Sequence, residues 1–237
     1  MGRPIDTRRS AITDPDVTRS ARAELDRQVT TLLRLGYPAL AAQTESAFLR
    51  RLAPLREVAD GLGGLAPGRP GSVPLVLVVT GAVVDPQHTV PLLRLAPAGT
   101  RPGIVDRNHG EEGLAPYRPI PQVELPHPDA YLLLDVDRGE EFRGVRPEEA
   151  LPVVLGRGRT PLTIEDGVAV VTHAPHLLAK NACFMLSGSR RGDRRVPAMW
   201  ISAGAPKLGW CWDGNPHDWL GVASAGSRVA AGSGTHT

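Results

Sequence analysis

The chain has 237 residues, of which 41% are hydrophobic and 22% charged, enough for one substantial core with a small helical annex. Its 27 Lys and Arg stand against 25 Asp and Glu, a net charge of +2, so bulk electrostatics argue against nucleic acid as a partner. Two cysteines, Cys183 and Cys211, exclude a disulfide framework and a four-cysteine zinc site. No apolar run approaches the roughly 18 residues of a membrane span, and the opening MGRPIDTRRSAITDPD lacks the apolar middle of a signal peptide. A cytoplasmic location is expected.

The first helix is predicted from Asp14 and Pro15, with Val17, Ala21, Leu25, Leu32 and Leu33 near helical spacing and Gly36 as the stop. Two short helices follow between Ala39 and Arg56, with Thr44 as an internal cap and Pro54 as a break. The glycines and prolines of GLGGLAPGRPGS, Gly61 to Ser72, mark a linker or long loop. A dinucleotide-binding reading of those glycines fails because no strand precedes them and no helix follows. Val73 to Thr80 and Ala130 to Val136 read as buried strands, with a turn or helix start at Asp85-Pro86 and an exposed loop at RNHGEEG between them. Arg146-Pro147-Glu148-Glu149 opens a helix. Thr163-Ile164-Glu165-Asp166 reads as a capping box with Asp in place of Glu, predicting a helix from Ile164 to about Val171 and a brief helical turn before Lys180. Beyond Asn181 the pattern changes to short runs, Cys183 to Ser187, Val196 to Ser202 and Lys207 to Trp212, which suit antiparallel strands. The last stretch, SAGSRVAAGSGTHT, is so poor in apolar mass that a disordered tail is expected.

These elements predict an α+β fold, or a mixed α/β one: a helical annex over 1–65, a mixed domain over 66–222 with central strands and helices and C-terminal antiparallel strands, and a tail over 223–237.

All four tryptophans, Trp200, Trp210, Trp212 and Trp219, fall within twenty residues. Period-two reading places Trp210 and Trp212 with Leu208 on one face and Lys207, Gly209 and Cys211 on the other. The indoles either form core or wall a pocket. Beside them GSRRGDRR carries Arg190, Arg191, Arg194 and Arg195 around a Gly192-Asp193 turn. Four guanidiniums on one loop need solvent, an acidic partner or an anion to offset their repulsion. Because only Lys180 and Lys207 are lysines, arginine abundance alone says little about phosphate binding. The leading expectation is a non-catalytic binding or accessory protein that recognises an anionic ligand or partner through these arginines, Lys207 and the four tryptophans. The alternative is a cysteine/histidine enzyme with Cys183 or Cys211 as nucleophile and His217, beside Asp218, as base. Whether the chain is an enzyme stays open at this point. No cofactor is indicated, and His173 and His176, separated by Pro175, make a poor metal-binding pair.

Two resemblances add to this reading. YLLLDVDRG, with Asp135 and Asp137 at a strand exit, resembles the first motif of haloacid-dehalogenase-type phosphotransferases, which implies Asp135 as nucleophile and Asp137 as acid or base; Gly139 departs from that pattern. GDRRVPAMWIS, Gly192 to Ser202, and GAPKLGWCWDGNPHDWLG, Gly204 to Gly221, are similar to a family of uncharacterised actinobacterial proteins with a GDRRVPALWIS and GAPKLGWCW signature. That likeness extends upstream through VELPHPDAYLLLDVDRG and GRTPLTIEDG and implies no reaction, ligand or catalytic residue.

Overall fold

The computed structural model describes residues 19–66 and 68–232. The chain opens with α1 (Ala21–Arg34), α2 (Tyr37–Leu40), α3 (Glu45–Leu52) and α4 (Leu55–Leu62). The Asp14 and Pro15 start expected for the first helix lies outside the described residues, and the cap of α1 is Ser20, whose hydroxyl accepts the Ala23 N–H at 3.1 Å. Thr44 caps α3 through the Ala47 N–H, and Pro54 separates α3 from α4. Then come β1 (Ser72–Val79), α5 (Pro86–Thr89), β2 (Ile104–Val105), β3 (Arg118–Pro119), β4 (Ala130–Asp137), α6 (Pro147–Gly156), β5 (Thr160–Pro161) and α7 (Ile164–His173). The remainder is β6 (Cys183–Met185), β7 (Ser189–Arg190), β8 (Arg195–Ser202), β9 (Ala205–Trp212), β10 (Leu220–Val222), β11 (Ser224–Ala225) and β12 (Ser227–Val229).

The fold is α+β. One sheet is ordered β1-β4-β11-β5 with β12 also on β4, and all its pairs are antiparallel. The second is ordered β10-β6-β8-β9-β2, with an antiparallel centre and parallel additions at both edges. A two-stranded pair, β3-β7, completes the set.

The central strands are the apolar runs of the sequence. Val76 to Val78 and Tyr131 to Leu133 pair in register and are buried on both faces. Here α1 does more than pack an amphipathic face. Its Gln28 donates to the Leu75 carbonyl at 2.9 Å and accepts from the Leu77 N–H at 2.6 Å, so one side chain satisfies the free edge of β1 as a neighbouring strand would. The capping box of α7 is present: Thr163 Oγ1 accepts from the Asp166 N–H, and Asp166 accepts from the Thr163 N–H at 2.8 Å.

Two expectations are corrected. The segment from residue 223, read as a disordered tail, supplies β11 and β12 to the first sheet. Its few apolar residues are offset by ladder pairing with β4 and by Arg228, whose guanidinium is buried against Asp166, Thr160 and the Pro161 carbonyl. RNHGEEG is also not wholly an exposed loop: Arg107–His109 form a 3-10 turn that buries His109, with Nε2 against the Leu208 carbonyl at 3.3 Å.

Candidate functional site

The arginine-rich loop is matched internally by acids from distant parts of the chain. Arg190 meets Asp213 at 3.2 Å, Arg191 meets Glu112 at 3.1 Å, and Arg194 meets Glu148 at 2.6 Å. Arg195 lies 3.5 Å from Asp193 and caps the Trp210 ring at 4.6 Å. Lys207 pairs with Asp106 at 2.8 Å and sits over the Trp200 ring. The mutual repulsion read from the loop is therefore compensated by carboxylates within the fold.

The tryptophans divide into two pairs on opposite faces of the β8-β9 hairpin. Trp210 and Trp212 meet edge to face at 4.9 Å, and the Trp210 indole N–H donates to the Asn108 carbonyl at 2.9 Å. Trp200 meets Trp219 at 6.2 Å and lies across Gly209, where a Cβ would fall 2.0 Å from the ring, so the glycine is the seat of the indole. Trp212 is 45% exposed and the other three are half-buried. The rings are thus neither a sealed core nor the wall of a recess described below.

Both thiols are buried. Cys211 contacts Met185 Sδ at 3.5 Å and the Val196 carbonyl, and Cys183 contacts the Ala179 carbonyl. Burial pushes the Cys211 thiol up to about 12 and raises Cys183 as well, opposite to the shift a nucleophile requires. His217 stacks edge-on to Trp219 at 5.5 Å, and burial lowers its pKa. Among the described residues no hydrogen bond joins it to either thiol.

Asp135 and Asp137 lie at the strand exit expected for them. Asp135 is held by Arg159 at 2.6 Å, which also bonds Ser224, and Arg69 stands 3.6 Å from both carboxylates. This cluster, beside a polar recess of about 170 Å³, stitches the end of β4 to β11. Among the described residues no group of three or more His, Cys, Asp or Glu is placed to hold a metal ion.

A more apolar concavity lies elsewhere, at the start of α7. A cavity of about 280 Å³ is walled by Pro86, Leu114, Tyr117, Pro119, Leu125 and Ile164, with polar groups from Asp85, Arg118, Ser189 and Glu165. Each is placed by local structure. Asp85 caps α5, accepting the Gln87 N–H at 2.8 Å. Ser189 Oγ accepts the Ile164 N–H at 3.0 Å and so anchors the first turn of α7. Glu165 turns its Oε1 to the Gly81 N–H at 2.7 Å, and a Cβ on residue 81 would lie 2.7 Å from that oxygen, so glycine there makes room for the carboxylate.

Burial raises the Glu165 pKa above its ordinary value, and the negative charges of Asp166 and Asp85 add to the rise against the lowering effects of the Gly81 N–H and the Arg228 guanidinium. Behind it a void of about 10 Å³, the size of one water, is lined by Tyr37, Thr89, Val168 and His173. Desolvation holds His173 neutral, its pKa pressed down to about 3. An apolar recess with a few convergent polar groups and a perturbed carboxyl is the usual form of a small-molecule site. The sequence did not single it out, because the Thr163-Ile164-Glu165-Asp166 segment reads there only as a helix start. Asp166 alone closes the capping box, and the unused neighbouring acid was the available signal.

A family model described as a family of unknown function (DUF5701) matches residues 31–231, so the chain belongs to that family. The match spans both sheets and the recess. No curated protein and no solved structure matches the chain. Among the described residues no helix is long and apolar enough to cross a membrane.

Proposed function

We propose that this member of the DUF5701 family is a binding protein for a small molecule, held in the recess between α5, the Leu114–Leu125 segment and the start of α7. The observation that carries the reading is the Glu165 carboxyl, set in an apolar cavity of about 280 Å³ without an ion-pair partner among the described residues. Binding rather than thiol chemistry is supported by the depth and raised pKa of both cysteines. Two free thiols fit a cytoplasmic setting.

The test is a thermal-shift screen of small apolar compounds on the wild type and on Ala115→Trp, which places an indole in the cavity wall. Compounds that raise the wild-type Tm and not that of the variant support the reading, since a ligand stabilises the state that binds it. Equal shifts in both proteins, or no shift with any compound, overturn it.

The second reading keeps the Arg/Trp face as a surface for an anionic partner. It is favoured by the exposure of Arg194 and Trp212, which project from that face at 65% and 45%. Arg194→Ala weakens such a partner's binding without lowering Tm if this reading holds, because an exposed ion pair contributes little to stability.

A further inference from the structure

The recess carries a charge signature that narrows its ligand. Two carboxylates face it, Asp85 and Glu165, and among the described residues neither is ion-paired. Each spends one oxygen on a backbone N–H, Gln87 for Asp85 and Gly81 for Glu165, and forms no further hydrogen bond among the described residues. Three other acids in this part of the fold are committed: Asp166 to Tyr131 and Arg228, Asp106 to Lys207, and Glu112 to Arg191. The one cation among the lining residues, Arg118, donates Nη1 to the carbonyls of Ala115 and Tyr117 and forms no ion pair with either carboxylate among the described residues. Apart from the neutral hydroxyls of Thr163 and Ser189, the rest of the wall is mainly apolar or aromatic.

Asp85 is exposed to solvent, so the cost falls on Glu165: a desolvated, unpaired carboxyl on the same recess as a second acid is relieved by a counter-charge. The arginines elsewhere in the chain show the contrast, since each of the four on the β7-β8 loop has an acid beside it. From this geometry, and resting on the binding role proposed above, we infer that the ligand is a small cationic amphiphile. A protonated amine lies between Glu165 and Asp85, and a compact apolar or aromatic body packs against Leu114, Tyr117 and Leu125. The cavity lies at the small end of ligand pockets, which sets the body at about the size of one ring with a short side chain. The cation also removes the like-charge penalty at Glu165, so binding draws a proton off any Glu165 that is protonated.

The experiment compares three probes of one shape, 2-phenylethylamine, 2-phenylethanol and phenylacetate, by calorimetric titration of the full chain at pH 7. The inference expects the amine to bind at least tenfold more tightly than the alcohol and phenylacetate to bind weakest. Glu165→Gln and Asp85→Asn, each checked for an unchanged melting transition, should each abolish most of the amine's advantage while leaving the alcohol's affinity within about twofold. Asp85→Asn keeps the amide oxygen that caps α5, so it reports on charge even where the Glu165 variant folds poorly. Equal affinity of amine and alcohol, tighter binding of phenylacetate, or an amine preference that survives both substitutions overturns the inference and leaves the recess a binding site of another specificity. If none of the three probes binds while other compounds pass the Ala115→Trp comparison, the cationic class is wrong. Failure of every compound in both experiments removes the binding role itself.

Discussion

Replacing Arg228 by Met probes the element least visible in the sequence. The Arg228 side chain is 3% exposed and Asp166 is fully buried at 0%, and the two are in direct contact. The same guanidinium donates to Thr160 Oγ1 and to the Pro161 carbonyl at 3.0 Å, so β12 is tied to β5 and to the cap of α7 at once. Methionine keeps much of the volume but removes the charge. Asp166 then retains the Tyr131 hydroxyl at 2.6 Å and the Thr163 N–H at 2.8 Å, without a cation to offset its desolvation. Breaking one side of a buried pair costs roughly 3 to 5 kcal/mol. For a chain of this size the lower value corresponds to a fall in Tm on the order of 6 to 12 °C. Urea unfolding of Arg228→Met, Asp166→Asn and the double variant measures both the single costs and their coupling. The expected outcome is a loss of about 3 kcal/mol or more for Arg228→Met, with a double variant less destabilised than the sum of the two. A loss under about 1 kcal/mol, or strict additivity, would refute the view that the C-terminal strand is locked by this pair.

Gln28→Leu keeps the packing of α1 but leaves the Leu75 carbonyl and the Leu77 N–H at the edge of β1 unpaired; a loss of about 2 to 4 kcal/mol in urea unfolding is expected. A loss near zero would show that the edge is satisfied in some other way. His173 makes stability pH-dependent. With a folded pKa of about 3 and an unfolded value near 6.5, the unfolded chain gains a proton that the folded one refuses as pH falls below about 6.5. The contribution is full above that pH and is lost progressively toward pH 3, amounting to about 2 kcal/mol by pH 5. His173→Leu should therefore lose about 2 kcal/mol less than the wild type between pH 7.5 and 5, and parallel pH profiles of the two proteins would contradict this. Both cysteines should react slowly with iodoacetamide at pH 7.5 in the folded protein and quickly in denaturant; fast native labelling of either would reopen the thiol reading.

What could be read from the sequence is what is decided locally. Thr44 and the Thr163–Asp166 pair announce helix starts because a cap and its target lie within four residues. The runs through Leu75 and Leu132 announce strands because continuous β-branched and aliphatic residues fit a sheet buried on both faces. Illegible features depend on partners far along the chain. The acids that neutralise Arg191 and Arg194 lie 79 and 46 residues away, so the loop reads as an anion site when viewed alone. Residues 224–229 look disordered by composition because their anchor, Asp166, is 62 residues from Arg228. The recess was hidden for the same reason, since Glu165 gains its meaning from Gly81, 84 residues earlier.

We propose the recess at the start of α7 as the place where this protein takes its ligand. The most direct measurement is amide correlation NMR of the isotope-labelled chain titrated with 2-phenylethylamine and with the compounds that pass the thermal screen. Saturable shifts concentrated at Gly81, Leu114, Tyr117 and Ile164 to Asp166, with Arg194 and Trp212 unmoved, are expected. Shifts centred on Arg194, Trp210 and Trp212 with the α7 cap silent would contradict it and move the site to the arginine and tryptophan face.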